Sequence, residues 1–277
     1  MRILVTTPNG KVGQELVRLL RARGATLRLG AHTVEKARAA FPGLEVVRLD
    51  HQDPATHAAA VKGVDALYLA SPGDFPSAPE KALVDAARAV GVKKVVKLGA
   101  IGAEHSDNPI RQVEEHVRAS GLAWTFLHPS WFMQNFSTSG AAGIKAGTLA
   151  EPAGDGKTAF IDTRDIAAVA AEVLTRPGHD GKLYTLTGPE LLDRHQVAAI
   201  LGEVLGRPVK YLPVTDAQFR EAVKPFLPSS YVDLLSFLYG TVRAGQTAVK
   251  TDAVQQILGR PPIGLAQFAR DHRAVWA

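Results

Sequence analysis

The clearest candidate for a chemical role in this sequence is a pair of glycines, Gly10 and Gly13, which follow the first apolar run near the N-terminus. Residues 2–20 read as a short apolar run, a turn over residues 6–10 and an amphipathic helix pattern. In such a unit the first N–H groups of the helix carry partial positive charge, and glycine lets an anion approach the backbone. Gly10 and Gly13 therefore predict a dinucleotide pyrophosphate site, with Thr7 where the full fingerprint has its first glycine. The alternative is a structural turn that only packs the helix closely.

The end of the second predicted strand, residues 26–31, bears on which dinucleotide would be bound. An acidic residue there would bind the ribose hydroxyls of NAD, whereas a basic residue would accept the extra phosphate of NADP. The chain has His32 at this position, with Arg28 and Lys36 nearby and no acidic residue before Glu35. We therefore predict NADP(H) as the cofactor and His32 as a phosphate contact. The alternative for His32 is an ordinary exposed residue at the start of the next helix.

A tyrosine with a lysine four residues later would supply a proton to a ketone substrate, because the lysine lowers the pKa of the phenol. The residues four positions after the tyrosines are Pro72, Gly188, Thr215, Leu235 and Arg243, so the chain has no such pair. An acceptor that needs strong proton donation at oxygen is therefore disfavoured. An iminium, a quinone or a conjugated dye could accept hydride without an acid.

Three basic side chains near the predicted strand ends are candidates for catalysis. Lys97 lies two residues before the end of an apolar strand, His128 ends the next strand, and His105 follows the loop after Gly99. For Lys97 and His128 the alternative is a side chain along the sheet edge with its polar tip in water. For His105 the alternative is a surface histidine.

The adjacent residues Glu114, Glu115 and His116 form the densest group of possible metal ligands in the predicted helix of residues 108–120. Their carboxylates are neighbours along the chain and do not face each other, so we predict neither a metal site nor an acid/base pair here.

Six apolar segments alternate with helix patterns in the first half of the chain, and this predicts an α/β fold with a doubly wound parallel (Rossmann) sheet. Ligands bind outside the carboxyl ends of such strands. The third strand ends at Asp50 and the fourth runs into Ser71, Pro72 and Gly73, so we predict Asp50 and this loop beside the cofactor. The predicted strands are residues 3–5, 26–31, 44–49, 64–70, 92–98 and 123–127.

Beyond Asn135 the alternation loosens, which predicts a domain of residues 1–135 and a smaller, interleaved α/β substrate lobe of residues 136–277. In this lobe we expect short strands at residues 160–162 and 183–186 and helices at residues 163–175 and 195–205. The predicted substrate pocket is lined by Trp131, Phe132, Asn135 and Tyr231. For the residues that follow the sixth strand directly, the alternative is a place in the core of the second lobe.

The composition is that of a folded globular protein. The chain has 277 residues, 46% of them hydrophobic, and no cysteine, so thiolate chemistry and disulfides are excluded. The net charge of +5 is dispersed along the chain, which argues against nucleic acid as a partner. No segment has the apolar length of a membrane span or a signal peptide. We therefore expect a cytoplasmic monomer or homodimer that acts on a small molecule.

Three segments, residues 120–136, 154–167 and 188–207, resemble the NmrA-like atypical short-chain reductases. The last of them, GPELLDRHQVAAILGEVLGR, is the most specific. Within the family the pattern is similar to the ergot-alkaloid branch of festuclavine and agroclavine dehydrogenases. The resemblance covers nearly the whole chain. It implies a Rossmann fold, NADPH as cofactor and reduction of a cyclic iminium or similar acceptor without a Tyr/Lys pair.

The resemblance also implies positions for the family's cofactor loops. The pyrophosphate loop, the phosphate-selecting basic residue and the loops after strands four and five fall on Thr7, Pro8, Asn9, Gly10, Lys11, Val12, His32, Ala70, Ser71, Gly99 and Ala100. This chain has His32 and His128 where the family usually has arginine. Gly99 replaces a serine and Lys97 replaces an apolar residue, which implies a substrate different from that of the alkaloid enzymes.

Two functions follow from these observations. The first is an NADPH-dependent reductase of an electron-poor small molecule. The second is a redox sensor, because some NmrA-like proteins bind NADP without turnover and regulate a partner instead. A complete second lobe with many aromatic residues favours the enzyme, whereas the lack of an identifiable acid or base favours the sensor.

Overall fold

The computed structural model describes residues 1–71, 76–105 and 107–277, and these form two compact units. The first unit comprises Met1–Pro129 and Thr163–Thr185, and the second comprises Ser130–Asp162 and Leu186–Ala277. The chain therefore returns to the first unit after it has begun the second. This division differs from the boundary expected at residue 135, because residues 163–185 add a helix and most of a strand to the first unit.

The elements alternate as the sequence pattern predicts for the first unit. The strands are β1 (Arg2–Thr6), β2 (Thr26–Ala31), β3 (Glu45–Arg48), β4 (Ala66–Leu69), β5 (Lys94–Leu98), β6 (Ala123–Pro129), β7 (Thr148–Glu151), β8 (Lys182–Leu186) and β9 (Lys210–Pro213). The helices are α1 (Lys11–Ala22), α2 (Val34–Ala40), α3 (His57–Val61), α4 (Ser77–Ala89), α5 (Pro109–Ala119), α6 (Gln134–Ser137), α7 (Ala141–Lys145), α8 (Thr163–Thr175), α9 (Arg194–Leu205), α10 (Asp216–Val223), α11 (Ser229–Arg243), α12 (Ala253–Leu258) and α13 (Leu265–Asp271). Short 3-10 helices lie at Pro54–Thr56, Ala103–His105 and Arg273–Val275.

A seven-stranded sheet with the order β3-β2-β1-β4-β5-β6-β8 forms the centre of the first unit. The neighbours from β3 to β6 pair in parallel. All residues of β4 are buried, as expected for a parallel strand that is covered by helices on both faces. The doubly wound parallel fold predicted from the sequence is therefore confirmed.

Helices α1 and α8 pack against each other in the first unit. The buried side of α1 carries Val12, Leu16 and Leu20 at helical spacing. Helix α8 buries most of its residues, Ile166 and Val169 among them. A helix that is apolar on most sides needs cover on most sides, so residues 163–175 belong with the sheet and not with the second lobe.

The strand order reverses between β1 and β4, and Thr6 joins these two strands at the point of reversal. The β1–β4 register covers Ile3 to Val5 and then stops. Beyond it, the buried Thr6 hydroxyl donates to the Ala70 carbonyl at 2.8 Å and accepts from the Ala70 N–H at 2.9 Å. A side chain therefore replaces the backbone ladder at the carboxyl end, which is where doubly wound sheets open their ligand crevice.

The second unit has a two-stranded parallel sheet of β7 and β9, which the sequence analysis did not predict. Its helix α9 begins with a capping box between Asp193 and Gln196, which satisfies two backbone N–H groups. The strand expected at residues 160–162 is wrong. Ile161 forms only an isolated parallel bridge with Phe132.

Candidate functional site

A cavity of about 400 Å³ lies at the carboxyl ends of β1, β2 and β3, and all its walls belong to the first unit. Its size is within the range of small-molecule sites. Several residues predicted to bind the cofactor lie together here. The lining residues are Thr7, Pro8, Asn9, Gly10, Gly30, Ala31, His32, Thr33, Lys36, Leu49, Asp50 and His51.

The turn between β1 and α1 forms one wall of this cavity and holds the backbone in an unusual conformation. Among the described residues, Thr7 is the only one other than glycine with a positive φ, of 49°. For a β-branched residue this is a strained backbone that the surrounding structure must stabilise. The Gly10 N–H donates to the Thr7 carbonyl at 3.0 Å and closes the turn. Strain of this kind is common where a backbone is shaped for a ligand.

Gly13 lets α1 approach the turn closely. A Cβ atom at this position would lie 2.3 Å from the Thr7 carbonyl oxygen and 3.0 Å from Pro8 Cα. Helix α1 has no acidic residue in its first turn and no side-chain cap at Gly10, so the partial positive charge of its N-terminus is not neutralised locally. The turn therefore fits an anion such as a pyrophosphate.

The remaining residues of the expected pyrophosphate loop lie in α1. Val12 is buried, so its side chain packs in the core and only its backbone can face a ligand. The Lys11 side chain is exposed at the first position of the helix.

The side of the cavity formed by β2 and β3 carries opposite charges. His32 Nε2 lies 3.4 Å from Asp50 Oδ2, and Arg48 Nη2 lies 3.9 Å from the same oxygen. The His32 side chain is 72% exposed, so it is free to turn toward a ligand. Along the chain the first acidic residue after His32 is Glu35, but the acid that contacts His32 is Asp50, which follows the neighbouring strand β3. Lys36 adds a further positive charge to the lining.

Asp50 is held in place by the segment that follows it. Thr56 Oγ1 accepts from the Asp50 N–H and donates to the Asp50 carbonyl, both at 3.1 Å, and His57 Nε2 donates to the same carbonyl at 3.1 Å. Next to Asp50, burial lowers the pKa of His51, so this lining residue favours its neutral form. The cavity thus combines exposed charged side chains with a backbone that hydrogen bonds hold in place.

The predicted loop after β4 begins at Ser71, while Pro72 and Gly73 lie outside the described residues. The Ala70 backbone is engaged by Thr6, and the Ser71 hydroxyl donates to Glu80 Oε1 at 2.8 Å. Thr6 was missed by the sequence analysis. Its only signal was its position at the end of the first apolar run.

The position of the Lys97 side chain agrees neither with a catalytic role at the strand end nor with a place along the sheet edge with its tip in water. This side chain is 3% exposed, and its ammonium group donates to Glu80 Oε1 at 3.1 Å and to the Leu98 carbonyl at 2.9 Å. Glu80 is itself 5% exposed and lies on α4. Lys97 therefore forms a buried ion pair, with its tip neither in a cleft nor in water.

His128 is also fully buried and lies between two carboxylates. Its Nε2 is 2.6 Å from Glu114 Oε1 and its Nδ1 is 3.0 Å from Glu104 Oε2. The contact of Glu114 with His128 joins α5 to β6, and the analysis of Glu114, Glu115 and His116 as a run on one helix did not predict it. His105 is exposed, which agrees with the alternative of a surface histidine. Its Nε2 lies 3.6 Å from Glu104 Oε1.

Gly99 follows β5 and lies directly beside this cluster. A Cβ atom on Gly99 would lie 2.8 Å from Glu114 Oε1 and 2.8 Å from His128 Cδ2. The carboxylate and the imidazole therefore fill the space that a serine side chain would need. Gly99 and Ala100 are both partly exposed at the strand end.

The second unit holds the residues predicted for the substrate pocket. Trp131 is partly exposed, and its ring centroid lies 5.0 Å from that of Tyr239. Tyr239 is thus the residue of α11 that contacts Trp131, whereas Tyr231 lies in the first turn of the same helix. Phe132 and Asn135 are also partly exposed.

A buried arginine, missed by the sequence analysis, lies behind Trp131. The Arg194 guanidinium is 5.6 Å from the Trp131 ring and 4.7 Å from the Phe160 ring. Its Nε donates to Glu151 Oε2 at 2.8 Å, and its Nη1 donates to Thr158 Oγ1 at 3.1 Å. The aromatic face of Trp131 is therefore backed by a guanidinium group that the Glu151 carboxylate and the Thr158 hydroxyl hold in place.

Over residues 1–71, 76–105 and 107–277, no group of three or more His, Cys, Asp or Glu side chains has the arrangement to hold a metal ion. In the same part of the chain, no helix combines the length and the apolar character that a membrane span needs.

Comparison with known proteins gives matches along the whole chain. A family model described as NAD(P)H-binding matches residues 8–177. The NAD(P)H azoreductase of Xenophilus azovorans is 36% identical over 99% of this chain and 99% of its own. Agroclavine dehydrogenase of Claviceps fusiformis is 31% identical over 100% and 99%.

Solved structures match equally well. The triphenylmethane reductase of Citrobacter sp., complexed with NADP(H), has a TM-score of 0.86 at 26% identity, with 98% of this chain and 100% of that chain covered. An NADPH-dependent quinone oxidoreductase from Escherichia coli, complexed with NADPH, has a TM-score of 0.87 at 27% identity, with 97% and 99% covered.

Proposed function

Because this chain belongs to the NmrA-like family of NAD(P)H-binding proteins and is an NAD(P)H-dependent oxidoreductase, we propose that it transfers hydride from NADPH to an electron-poor, conjugated small molecule. The acceptor classes are quinones, azo or cationic dyes, and cyclic iminium ions. These classes share a low-lying acceptor orbital and need little help from an acid at the reacting atom.

The observation that carries this proposal is the cavity at the N-terminus of α1. The turn of residues 7–10 leads into α1, whose first backbone N–H groups and unneutralised N-terminus are offered to the two phosphates of the cofactor. His32 and Lys36 would contact the additional phosphate of NADPH, and Asp50 lies where it would meet the adenosine half. Bound NADPH supplies the hydride, and these residues bind and orient it.

The absence of a Tyr/Lys pair supports acceptors that are reduced by hydride itself. Relatives and structural neighbours of this chain are named azoreductase, quinone oxidoreductase and triphenylmethane reductase. The acceptors in these names are conjugated and electron-poor molecules. Lys97, the basic side chain closest to the end of β5, is held by Glu80 inside the fold and would not reach an acceptor.

In the second unit, we assign acceptor contacts to Trp131, Phe132, Asn135 and Tyr231, which are all partly exposed. A flat, conjugated acceptor would stack on the exposed part of the Trp131 ring. Tyr239 is 7% exposed and packs against Trp131, so it supports this ring and is not itself a contact of the acceptor.

The test is a panel assay with the purified protein. NADPH is mixed with a naphthoquinone, a sulfonated azo dye, a triarylmethane dye and a cyclic iminium, and the cofactor absorbance is followed. We expect oxidation of NADPH with at least one of these acceptors, and faster turnover with NADPH than with NADH. Binding of NADPH without oxidation across the panel would favour a cofactor sensor and would contradict the proposed function.

A further inference from the structure

His32 and Asp50 lie side by side in the cavity because backbone pairing continues past the end of β3. The Leu49 N–H donates to the Ala31 carbonyl at 3.0 Å, which extends the register of β2 and β3. This pairing brings His32 Nε2 to 3.4 Å from Asp50 Oδ2. The residue assigned to the additional phosphate of NADPH therefore has a carboxylate as its neighbour.

The Asp50 carboxylate is anchored through one oxygen and offers the other to a ligand. Its Oδ1 accepts from the Gln52 N–H at 3.1 Å. The contacts of its Oδ2 with His32 and Arg48 are long, at 3.4 and 3.9 Å, and these two side chains are 72% and 62% exposed. An ionised carboxylate accepts hydrogen bonds and repels a phosphate. Asp50 Oδ2 therefore suits a ribose hydroxyl better than a phosphate.

The charge of His32 decides how a phosphate would meet this carboxylate. An imidazole gains or loses its proton between about pH 5 and pH 8, whereas ammonium, guanidinium and carboxylate groups ordinarily keep their charge there. The other lining histidine, His51, favours its neutral form because burial lowers its pKa. The remaining charged side chains near His32 are Glu35 and Lys36 on α2, and Arg48 and Asp50 at the end of β3. Among the lining residues that the structure describes, His32 is thus the group whose charge changes near neutral pH.

NADPH and NADH differ at this position only, since one carries a phosphate where the other carries a ribose hydroxyl. A protonated His32 would bind the phosphate and offset its repulsion by Asp50. A neutral His32 would leave this repulsion in place. A hydroxyl can donate to Asp50 whether or not His32 carries a proton.

We propose that His32 and Asp50 together select the cofactor: protonated His32 holds the phosphate of NADPH, and Asp50 accepts the ribose hydroxyl of NADH. This inference rests on the proposed function, from which it takes the assignment of the cavity to the cofactor. The preference for NADPH is then largest when His32 is protonated and declines as the pH rises. Lys36 contributes a positive charge in both states, so NADPH still binds at high pH.

The test is calorimetric titration of the purified protein with NADP⁺ and NAD⁺, which carry the same adenosine halves as the reduced cofactors. The phosphate itself gains negative charge as the pH rises toward neutral, so the reference is His32→Arg, whose guanidinium stays charged. Between about pH 6 and pH 8.5, we expect the ratio of NADP⁺ to NAD⁺ affinity in the wild type to fall at least about fivefold relative to this variant.

Asp50→Asn tests the other half of the selection. The amide keeps the Oδ1 that accepts from the Gln52 N–H and removes the negative charge and the second acceptor oxygen. We expect NADP⁺ affinity to rise about threefold and NAD⁺ affinity to fall about threefold. A loss of affinity for both cofactors would mean that Asp50 only supports the loop, and it would overturn this assignment.

The matched control for the added guanidinium is His116→Arg, which alters a partly exposed histidine on α5 that pairs with Asp85. This variant should keep the pH dependence of the wild type. If it lost that dependence as fully as His32→Arg does, the effect would belong to the net charge of the protein and the proposal would fail.

A second readout is the number of protons taken up on binding, measured by titration in buffers with different enthalpies of ionisation. Near neutral pH, NADP⁺ should draw a fraction of a proton onto wild-type His32, because the phosphate stabilises the charged imidazole. NAD⁺ should draw none, and His32→Arg should take up none with either cofactor. Equal uptake with NADP⁺ and NAD⁺ would contradict the proposal.

The same titrations separate this inference from the proposed function. If the wild-type protein binds neither cofactor, the proposed function fails and the inference fails with it. If it binds both with a ratio that follows His32→Arg at every pH, the cavity holds the cofactor and only the selection by His32 and Asp50 is overturned.

Discussion

Charged residues at the carboxyl ends of β2 and β3 differ in exposure to solvent from those of β5 and β6. At β2 and β3, His32 is 72% exposed and Asp50 is 21% exposed, and their contact is a loose 3.4 Å. At β5 and β6, Lys97 is 3% and His128 is 0% exposed, and each is bound directly to a buried or partly buried carboxylate. Exposed charges can exchange a partner for a ligand at little cost, whereas buried charges are committed to each other.

This contrast assigns different consequences to substitutions at the two ends. Changes to the exposed side chain of His32 should alter ligand affinity and leave the free energy of unfolding nearly constant. Changes to the buried pair of Lys97 and Glu80 should lower the free energy of unfolding.

Breaking the Lys97–Glu80 pair should have the largest effect. Lys97→Met leaves the Glu80 carboxylate buried without its cation, which should lower the free energy of unfolding by about 3–5 kcal/mol. Replacement of both residues, as Lys97→Met with Glu80→Leu, should recover most of this loss because no buried charge remains. Urea denaturation of the variants measures both values.

Lys94→Met is the control on the same strand, since Lys94 pairs with Asp180, which is 57% exposed. A partly exposed pair contributes less than about 1 kcal/mol, so this variant should unfold nearly as the wild type does. Equal free energies of unfolding for Lys97→Met and Lys94→Met would contradict the distinction between the buried and the exposed charged pairs.

The second prediction concerns the turn at the exposed end. Gly13→Ala places a methyl group 2.3 Å from the Thr7 carbonyl oxygen, so the turn must move away from α1. We expect NADPH affinity to fall at least about 100-fold, which corresponds to roughly 3 kcal/mol. Isothermal titration calorimetry measures the change. The control is Gly240→Ala, whose methyl group would meet only Arg243 at 3.8 Å, and which should bind NADPH normally.

The third prediction sharpens the contrast through cofactor choice. His32→Ala would remove the phosphate contact that we propose for this residue, and it should weaken NADPH binding about fivefold, on the order of 1 kcal/mol, with little effect on NADH. Asp50→Asn should act in the opposite direction, because it frees His32 from its carboxylate partner. Neither variant should change the urea midpoint.

His116→Ala, on α5 and paired with Asp85, serves as the control for loss of a partly exposed histidine. An equal loss of NADPH and NADH affinity in His32→Ala would contradict a role for His32 in recognition of the additional phosphate.

The smallest effect is expected from the pH dependence of stability. Burial is the largest cause that lowers the pKa of His51 below its ordinary value of 6.5. The folded protein then binds this proton less readily than the unfolded chain does, so stability is retained above pH 6.5 and falls as the pH drops through that value. His51→Gln should flatten this acid decline in thermal unfolding, and the exposed His195→Gln should not. An unchanged slope in His51→Gln would contradict the burial effect.

The local pattern of the sequence predicts the sheet well because each strand and helix has its own periodicity. The predicted bounds of β2 and α8, residues 26–31 and 163–175, agree with the structure residue for residue. The short strands β7 and β9 were missed, since four residues are too few for a periodic signal. The segment of residues 160–162 has strand composition but finds only one bridging partner.

The candidate site was predictable where one segment forms it and not where two segments meet. The turn of residues 7–10 is local, and all its residues line the cavity. Asp50 beside His32, and Glu114 beside His128, are contacts between residues from different elements. No spacing rule along the chain reveals such pairs, because the sheet order brings them together.

Calorimetric titration of the purified protein with NADPH decides whether the cavity at the start of α1 holds a nicotinamide dinucleotide. We expect one site per chain, tighter binding of NADPH than of NADH, and loss of the binding heat in Gly13→Ala. Absence of binding heat for both cofactors in the wild-type protein, or unchanged affinity in Gly13→Ala, would contradict this assignment of the cavity.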